Sequence, residues 1–232
     1  MTTREHFSQD LRQLRAETLK MGELVDKELI MALEALARVD VHLAHEVREL
    51  DEQVNQVRFA LEEKSTTLLA TQQPLAGDLR RIVAAMHIFV DLERMGDQAK
   101  GIAKIIPRLD GKPHIHQPNE LQMMGELGLS MLRDCLQAYN DLDIDLAKLV
   151  IYRDEAVDRL YANLYTQTMF DLVGADNSTK TEACYQLLRA GRELERFADL
   201  ATNIAERVIY IATGHLEEGN LDHDDVLDQH ID

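Results

Sequence analysis

The chain has 232 residues, a net charge of −17 and 45% apolar residues, with no Trp and only 4 Pro. That length suits one large domain or two small ones with a substantial core. The charge excludes a duplex-binding surface, which needs Lys and Arg to displace counterions, and excludes direct attraction to an anionic membrane. No apolar run approaches the roughly 18–20 residues of a membrane span, and the opening MTTREHFSQD lacks the apolar stretch of a signal peptide. Cys135 and Cys184 are too few for a disulfide or thiolate framework and read as buried hydrophobes in helices. The expectation is a cytoplasmic protein compatible with cations and with basic patches on other proteins.

Abundant Ala, Leu, Glu, Arg and Met, without alternating β-branched runs, predict an all-α fold. Helices are expected over 4–38, 41–71, 78–107, 119–140, 144–173 and 180–212. Asp40 is placed to cap the second helix, and Gln73–Pro74 and Gly77 break the first hairpin. Pro107, Pro113 and Pro118 crowd the centre of the chain, and His114 and His116 fall in that linker. Asp143 is placed to cap the fifth helix, Gly174 through Ser178 break the second hairpin, and Thr179 with Glu182 has a capping-box pattern. From Gly214 the chain is acidic, with His215, His223 and His230, and disorder is expected there.

Apolar heptads run through the hairpins. Val47, Leu50, Val54, Val57, Leu61 and Leu68 form one seam, which Lys64 interrupts; Ile82, Ala85, Phe89, Leu92, Gly96, Ala99, Ala103 and Ile106 form the next. Such seams pack at shallow angles in bundles, and Gly96 with Ala99 suggests close backbone approach.

The chain repeats itself. Laid so that Val39 falls on Leu142, Asp40, Leu43, Ala44, Val47, Asp51, Glu52 and Val54 recur as Asp143, Leu146, Ala147, Val150, Asp154, Glu155 and Val157, with Leu43 and Ala44 matching Leu146 and Ala147. In the following helix Leu92, Glu93, Arg94, Asp97, Ala99, Ile102 and Ala103 recur as Leu194, Glu195, Arg196, Asp199, Ala201, Ile204 and Ala205. Two tandem antiparallel three-helix bundles related by pseudo-symmetry follow, over residues 1–110 and 111–213, with 214–232 as the tail.

Like charges four apart on a helix repel, yet Glu93 and Asp97 recur as Glu195 and Asp199. In the heptad frame Asp51 and Asn55, Glu93 and Asp97, Asp154 and Asp158, and Glu195 and Asp199 all take the e and b positions. Antiparallel neighbours bring e positions together, and at 1.5 Å per residue the first four stand on a common level roughly 24–30 Å from the hairpin turn. Each half therefore gathers a cluster: Asp51, Asn55, Glu93 and Asp97, then Asp154, Asp158, Glu195 and Asp199. A bound cation relieves such crowding, and oxygen ligands on rigid helices suit Mg²⁺, Mn²⁺, iron or Zn²⁺. The plainer reading is a solvated acidic face with Arg94 and Arg196 as counterions. No histidine falls in the four motifs, and no nucleophile triad, phosphate-binding Gly loop or dinucleotide motif is present.

DEQVNQV, QQPLAGDLR, DLERMGDQAKGIA, RDEAVDRLY and ELERFADLATNIAE resemble the PhoU family of phosphate-response regulators, from about Leu14 to Tyr210. The turn residues Gln72, Gln73, Pro74, Ala76, Asp78, Leu79 and Arg80 carry part of that likeness. The resemblance implies metal ions or clusters on the E/D-xxx-D helices, at the eight positions above. It implies negative control of the phosphate-starvation response, with the ATPase subunit of a phosphate-specific ABC transporter and a sensor histidine kinase as partners, and a homodimer. Asn55 and Gly101 stand where the second half has Asp158 and Asn203, which lowers the expected charge of the first cluster. A non-enzymatic regulator is the expectation. Its competitors are a metal-free adaptor docking through an acidic face and a carboxylate-bridged di-metal oxidase, the latter opposed by the missing Glu-x-x-His.

Overall fold

The computed structural model describes residues 3–111, 117–175 and 177–215. Its helices are α1 (Thr3–Arg38), α2 (Val41–Gln72), α3 (Gly77–Ala103), the single turn α4 (Ile106–Leu109), α5 (Asn119–Asp141), α6 (Ile144–Val173) and α7 (Ser178–Thr213), with no strand among the described residues. None of these helices is long and apolar enough to cross a membrane. The expected linker histidines and nearly all of the expected acidic tail lie outside the described residues.

The turns repeat as the sequence does. Val39 and Leu142 both take left-handed backbone, with φ of 52° and 55°. The next residue caps the following helix: Asp40 accepts from the amides of His42 and Leu43 at 2.9 and 3.0 Å, and Asp143 accepts from Leu146 at 3.0 Å. The Asp40 and Asp143 amides return to the carbonyls of Ala35 and Ala138 at 2.9 and 3.0 Å, which closes the preceding helix.

Two helix ends differ from the sequence reading. α7 begins two residues before the expected start and is capped by Asn177, whose side chain accepts from the Lys180 amide at 2.9 Å; Thr179 lies inside the helix and is not its cap. The third helix does not run to 107. Pro107 has no amide to bond the Ala103 carbonyl and its ring crowds that turn, so α3 stops at Ala103 and a separate turn, α4, follows.

α1, α2 and α3 pack on one another, as do α5, α6 and α7, and the two bundles join where α3 lies along α7 and α1 touches α5. α3 and α7 are antiparallel: Gly101 meets Glu193 at one end of their seam, and Arg80 meets Gly214 at the other. The α2–α3 tip and the α6–α7 tip thus face opposite ends of the molecule. One continuous core results, with Phe89 and Phe197 among its largest buried side chains. Every expected seam residue of α3 is buried. Lys64 leaves the α2 seam to grip Glu17 of α1, with its Nζ 2.8 Å from both carboxylate oxygens. Both cysteines are free and buried.

Candidate functional site

The heptad geometry brings both acidic sets to the grooves between paired helices, at one height along the α3–α7 seam. In the first, Asp51 and Asn55 of α2 face Glu93 and Asp97 of α3. Asp51 is 2% exposed. Its Oδ2 accepts from Asn55 Nδ2 at 3.1 Å and from Lys100 Nζ at 2.6 Å, and Lys100 also reaches Asp97 Oδ1 at 3.2 Å. Burial, followed by the charges of Asp97 and Asp51, raises the Glu93 carboxyl above its ordinary value, with Arg58 and Lys100 opposing. Burial also works against the Lys100 ammonium, but its bonds to Asp51 and Asp97 outweigh that and raise its proton affinity.

The sequence reading missed two members of this cluster, Lys100 and Glu28. Glu28 of α1 is fully buried, and neither of its oxygens has a hydrogen-bond partner. Burial, with the nearby charge of Asp51, pushes its carboxyl up to about 9 against the pull of Lys100, so it is uncharged at neutral pH. It occupies the room left by Gly96: a Cβ there would lie 2.9 Å from Glu28 Oε2. What approaches Gly96 is therefore a carboxyl group and the Val54 methyl, not another backbone. A signal was legible for both residues. Glu28 interrupts the α1 seam of Met21, Val25, Ala32 and Ala35 at a core position, and Lys100 shares the flank of Glu93 and Asp97.

In the second cluster Asp154 and Asp158 of α6 stand with Glu195 and Asp199 of α7. Burial and then the charges of Asp199, Asp158 and Glu195 raise the Asp154 carboxyl to about 7. Glu195 and Asp199 are raised too, first by burial and then by Asp199 and Asp158 respectively. Asp154 Oδ1 and Glu195 Oε2 are buried without a partner. Of the expected counterions one is corrected and one holds: Arg94 pairs with Asp91 at 3.2 Å, whereas the Arg196 charge does act on Glu195 and Asp199, alongside Arg192, which donates to Glu195 Oε1. Nor is the face simply solvated, since Asp51 and Asp154 are both buried.

Chemically, the second set is an all-oxygen donor group whose repulsion Arg192 and Arg196 offset only in part, which matches a hard or borderline cation. Its arrangement is not that of a formed site: among the described residues no three Asp, Glu, His or Cys side chains are disposed to hold one ion as they stand. Coordination would require the carboxylates to turn inward about their own side-chain torsions.

Each bundle also carries a family signature, because a family model described as PhoU domain matches residues 18–106 and again residues 121–208. The chain belongs to the PhoU family. Among PhoU relatives it is 37% identical over 213 residues to a protein of Clostridium acetobutylicum, covering 91% of this chain and 96% of that one. It is 36% identical over 219 residues to one of Streptococcus pneumoniae, covering 94% of this chain and 100% of that one. Both are named phosphate-specific transport system accessory protein PhoU homologs. The crystal structure of PhoU from Pseudomonas aeruginosa superposes with a TM-score of 0.85 at 34% identity, covering 90% of this chain and 100% of that one. The PhoU structure from Streptococcus pneumoniae, titled a phosphate transport system regulatory protein, gives 0.83 at 35% identity, covering 91% of this chain and 99% of that one.

Proposed function

We propose that this chain is a non-enzymatic regulator of phosphate homeostasis, an accessory of a phosphate-specific ABC transporter that holds down the phosphate-starvation response. Supporting this are the paired PhoU domains and relatives of that name over nearly its whole length. The partners of this reading are the transporter's ATPase subunit and a phosphate-sensing histidine kinase, met by a homodimer in the cytoplasm. Metal ions belong to the same reading, at the α6–α7 cluster. The observation that carries the metal claim is Asp154, a buried carboxylate with an unpartnered oxygen among three further carboxylates. A cation there would neutralise the cluster and pin α6 to α7, stiffening a face that a partner could read.

Two experiments test it. Deleting the gene should derepress phosphate-regulated transcription in phosphate-replete medium; unchanged transcription defeats the regulatory claim. Protein purified without chelator or affinity-tag metal should carry Mn, Fe or Zn by elemental analysis. Asp154→Asn with Asp158→Asn should lower that content with helicity intact, because both side chains flank the core and do not build it.

The metal-free adaptor is favoured by one observation, the absence of a ready three-ligand arrangement among the described residues. It makes partner binding salt-sensitive and indifferent to chelator, whereas the metal reading makes it chelator-sensitive.

A further inference from the structure

The two clusters descend from one repeat but do not match. Laying α3 on α7 sets Lys100 over Thr202, and laying α1 on α5 sets Glu28 over Met131. Thr202 brings no charge to its cluster, since its hydroxyl donates to the Asp199 carbonyl at 2.6 Å, and Arg192 bonds Glu195 there while leaving the buried Asp154 Oδ1 without a partner. Lys100 instead brings a positive charge into its own, bonding the buried Asp51 at 2.6 Å and Asp97 at 3.2 Å from a side chain that is itself 23% exposed. Asn55 in place of Asp158 removes one more charge and donates to the same Asp51 oxygen.

We infer that the Lys100 ammonium is the built-in cation of the first cluster, closing that half of the chain to metal and confining metal to the α6–α7 half. A metal ion entering between Asp51 and Asp97 would meet a positive charge already bonded to both. To admit it, Lys100 would have to swing out and break two charge-assisted bonds. Glu28 is the second mark of the substitution. Its buried carboxyl lies near enough to Asp51 and Lys100 to feel both charges, and the second half, which lacks the lysine, has an apolar methionine at that place. The first cluster thus disagrees with the metal assignment that the repeated motif suggests. The second-half limb of the inference rests on the metal reading above; the Lys100 limb does not.

The test has two arms, each on the full chain. Mn²⁺ and Zn²⁺ are titrated by equilibrium dialysis against wild type and against Asp154→Asn with Asp158→Asn. The double variant should bind at least about tenfold more weakly, the loss that even the outer partners of metal ligands commonly cause; retention of half the wild-type metal would show the first half loading with Lys100 in place and would overturn the inference. Adding Lys100→Thr and Asn55→Asp to that double variant writes the second-half residues into the first half. It should restore binding, and no gain by a protein of unchanged helicity would also overturn it. The second arm needs no variant. Reductive methylation read by mass spectrometry should modify Lys100 several-fold more slowly than the exposed Lys148, and Mn²⁺ should leave that rate unchanged. Equal rates, or a Lys100 freed by Mn²⁺, would sink the Lys100 claim. If wild type takes up no metal in either half, the metal reading fails, and the methylation arm alone decides whether Lys100 is held.

Discussion

Gly101 of α3 lies directly beneath the carboxyl of Glu193 of α7: a Cβ at Gly101 would stand 2.8 Å from Glu193 Cδ. The expectation that Gly101 lowers the charge of the first cluster gives way here to a packing role at the crossing of the two bundles. Gly101→Asn, which installs the residue found at the matching place in α7, should destabilise the fold by about 1–3 kcal/mol through overpacking. Urea denaturation measures this. Adding Glu193→Ala should recover much of the loss, and strict additivity of the two changes would contradict the contact.

Asp154 should give the metal-free protein an unusual pH response. Its folded-state carboxyl lies near 7, above the ordinary carboxylate value. For an acid raised on folding, stability is intact below the unfolded pKa near 4 and declines as pH rises to about 7, by at most on the order of 1.4 kcal/mol per pH unit. Asp154→Asn should flatten that part of the profile, measured as the difference in unfolding free energy between variant and wild type from pH 4 to 8. A pH-independent difference would contradict the assignment.

Glu28 should be dispensable to stability. Glu28→Met, which copies Met131 of the second bundle, removes two unpartnered buried oxygens and keeps the volume. Such replacements are commonly neutral or stabilising. Because the Glu28 carboxyl is raised to about 9, keeping the glutamate costs more as pH rises from its ordinary range towards that value. The benefit of methionine should therefore be larger at pH 8 than at pH 5 by thermal denaturation, and a loss of stability at both would refute the picture.

Val39 pays a steric penalty in the left-handed region, where a β-branched side chain is crowded. Val39→Gly should raise stability by about 1 kcal/mol. A drop in melting temperature would indicate that packing of the Val39 side chain outweighs its backbone strain.

The cap of α7 separates two readings of one turn. Asn177→Ala should cost about 1 kcal/mol, the usual effect of losing an N-cap, and Thr179→Ala should cost little. The reverse ranking in chemical denaturation would restore the capping box.

Periodicity made most of the fold legible. The asparates at 40 and 143 cap as their position implies, and the apolar seams of α2 and α3 give their buried faces. The e and b positions located both acidic clusters because heptad position and distance from a turn together fix azimuth and height on a helix. The third helix ends four residues earlier than expected because Pro107, legible in the sequence, denies the Ala103 carbonyl its bond. Glu28 and Lys100 escaped for different reasons. Glu28 is an acidic side chain at a core position of an otherwise apolar seam, where periodicity signals only the apolar members, and Lys100 lies three residues beyond the motif that carries Glu93 and Asp97. What α3 and α7 make by crossing could not be seen in either helix alone, which is why the neighbour of Gly101 comes only from the structure.

The antiparallel crossing of α3 and α7 has a geometric corollary for how this chain can vary. Residues added at either hairpin tip extend opposite poles of the molecule and leave the charged belt between them undisturbed. Excising one turn from α3 where it lies along α7 would instead slide one set of carboxylates past the other by about 5.4 Å. Reach at the poles and alignment at the waist are therefore separately adjustable.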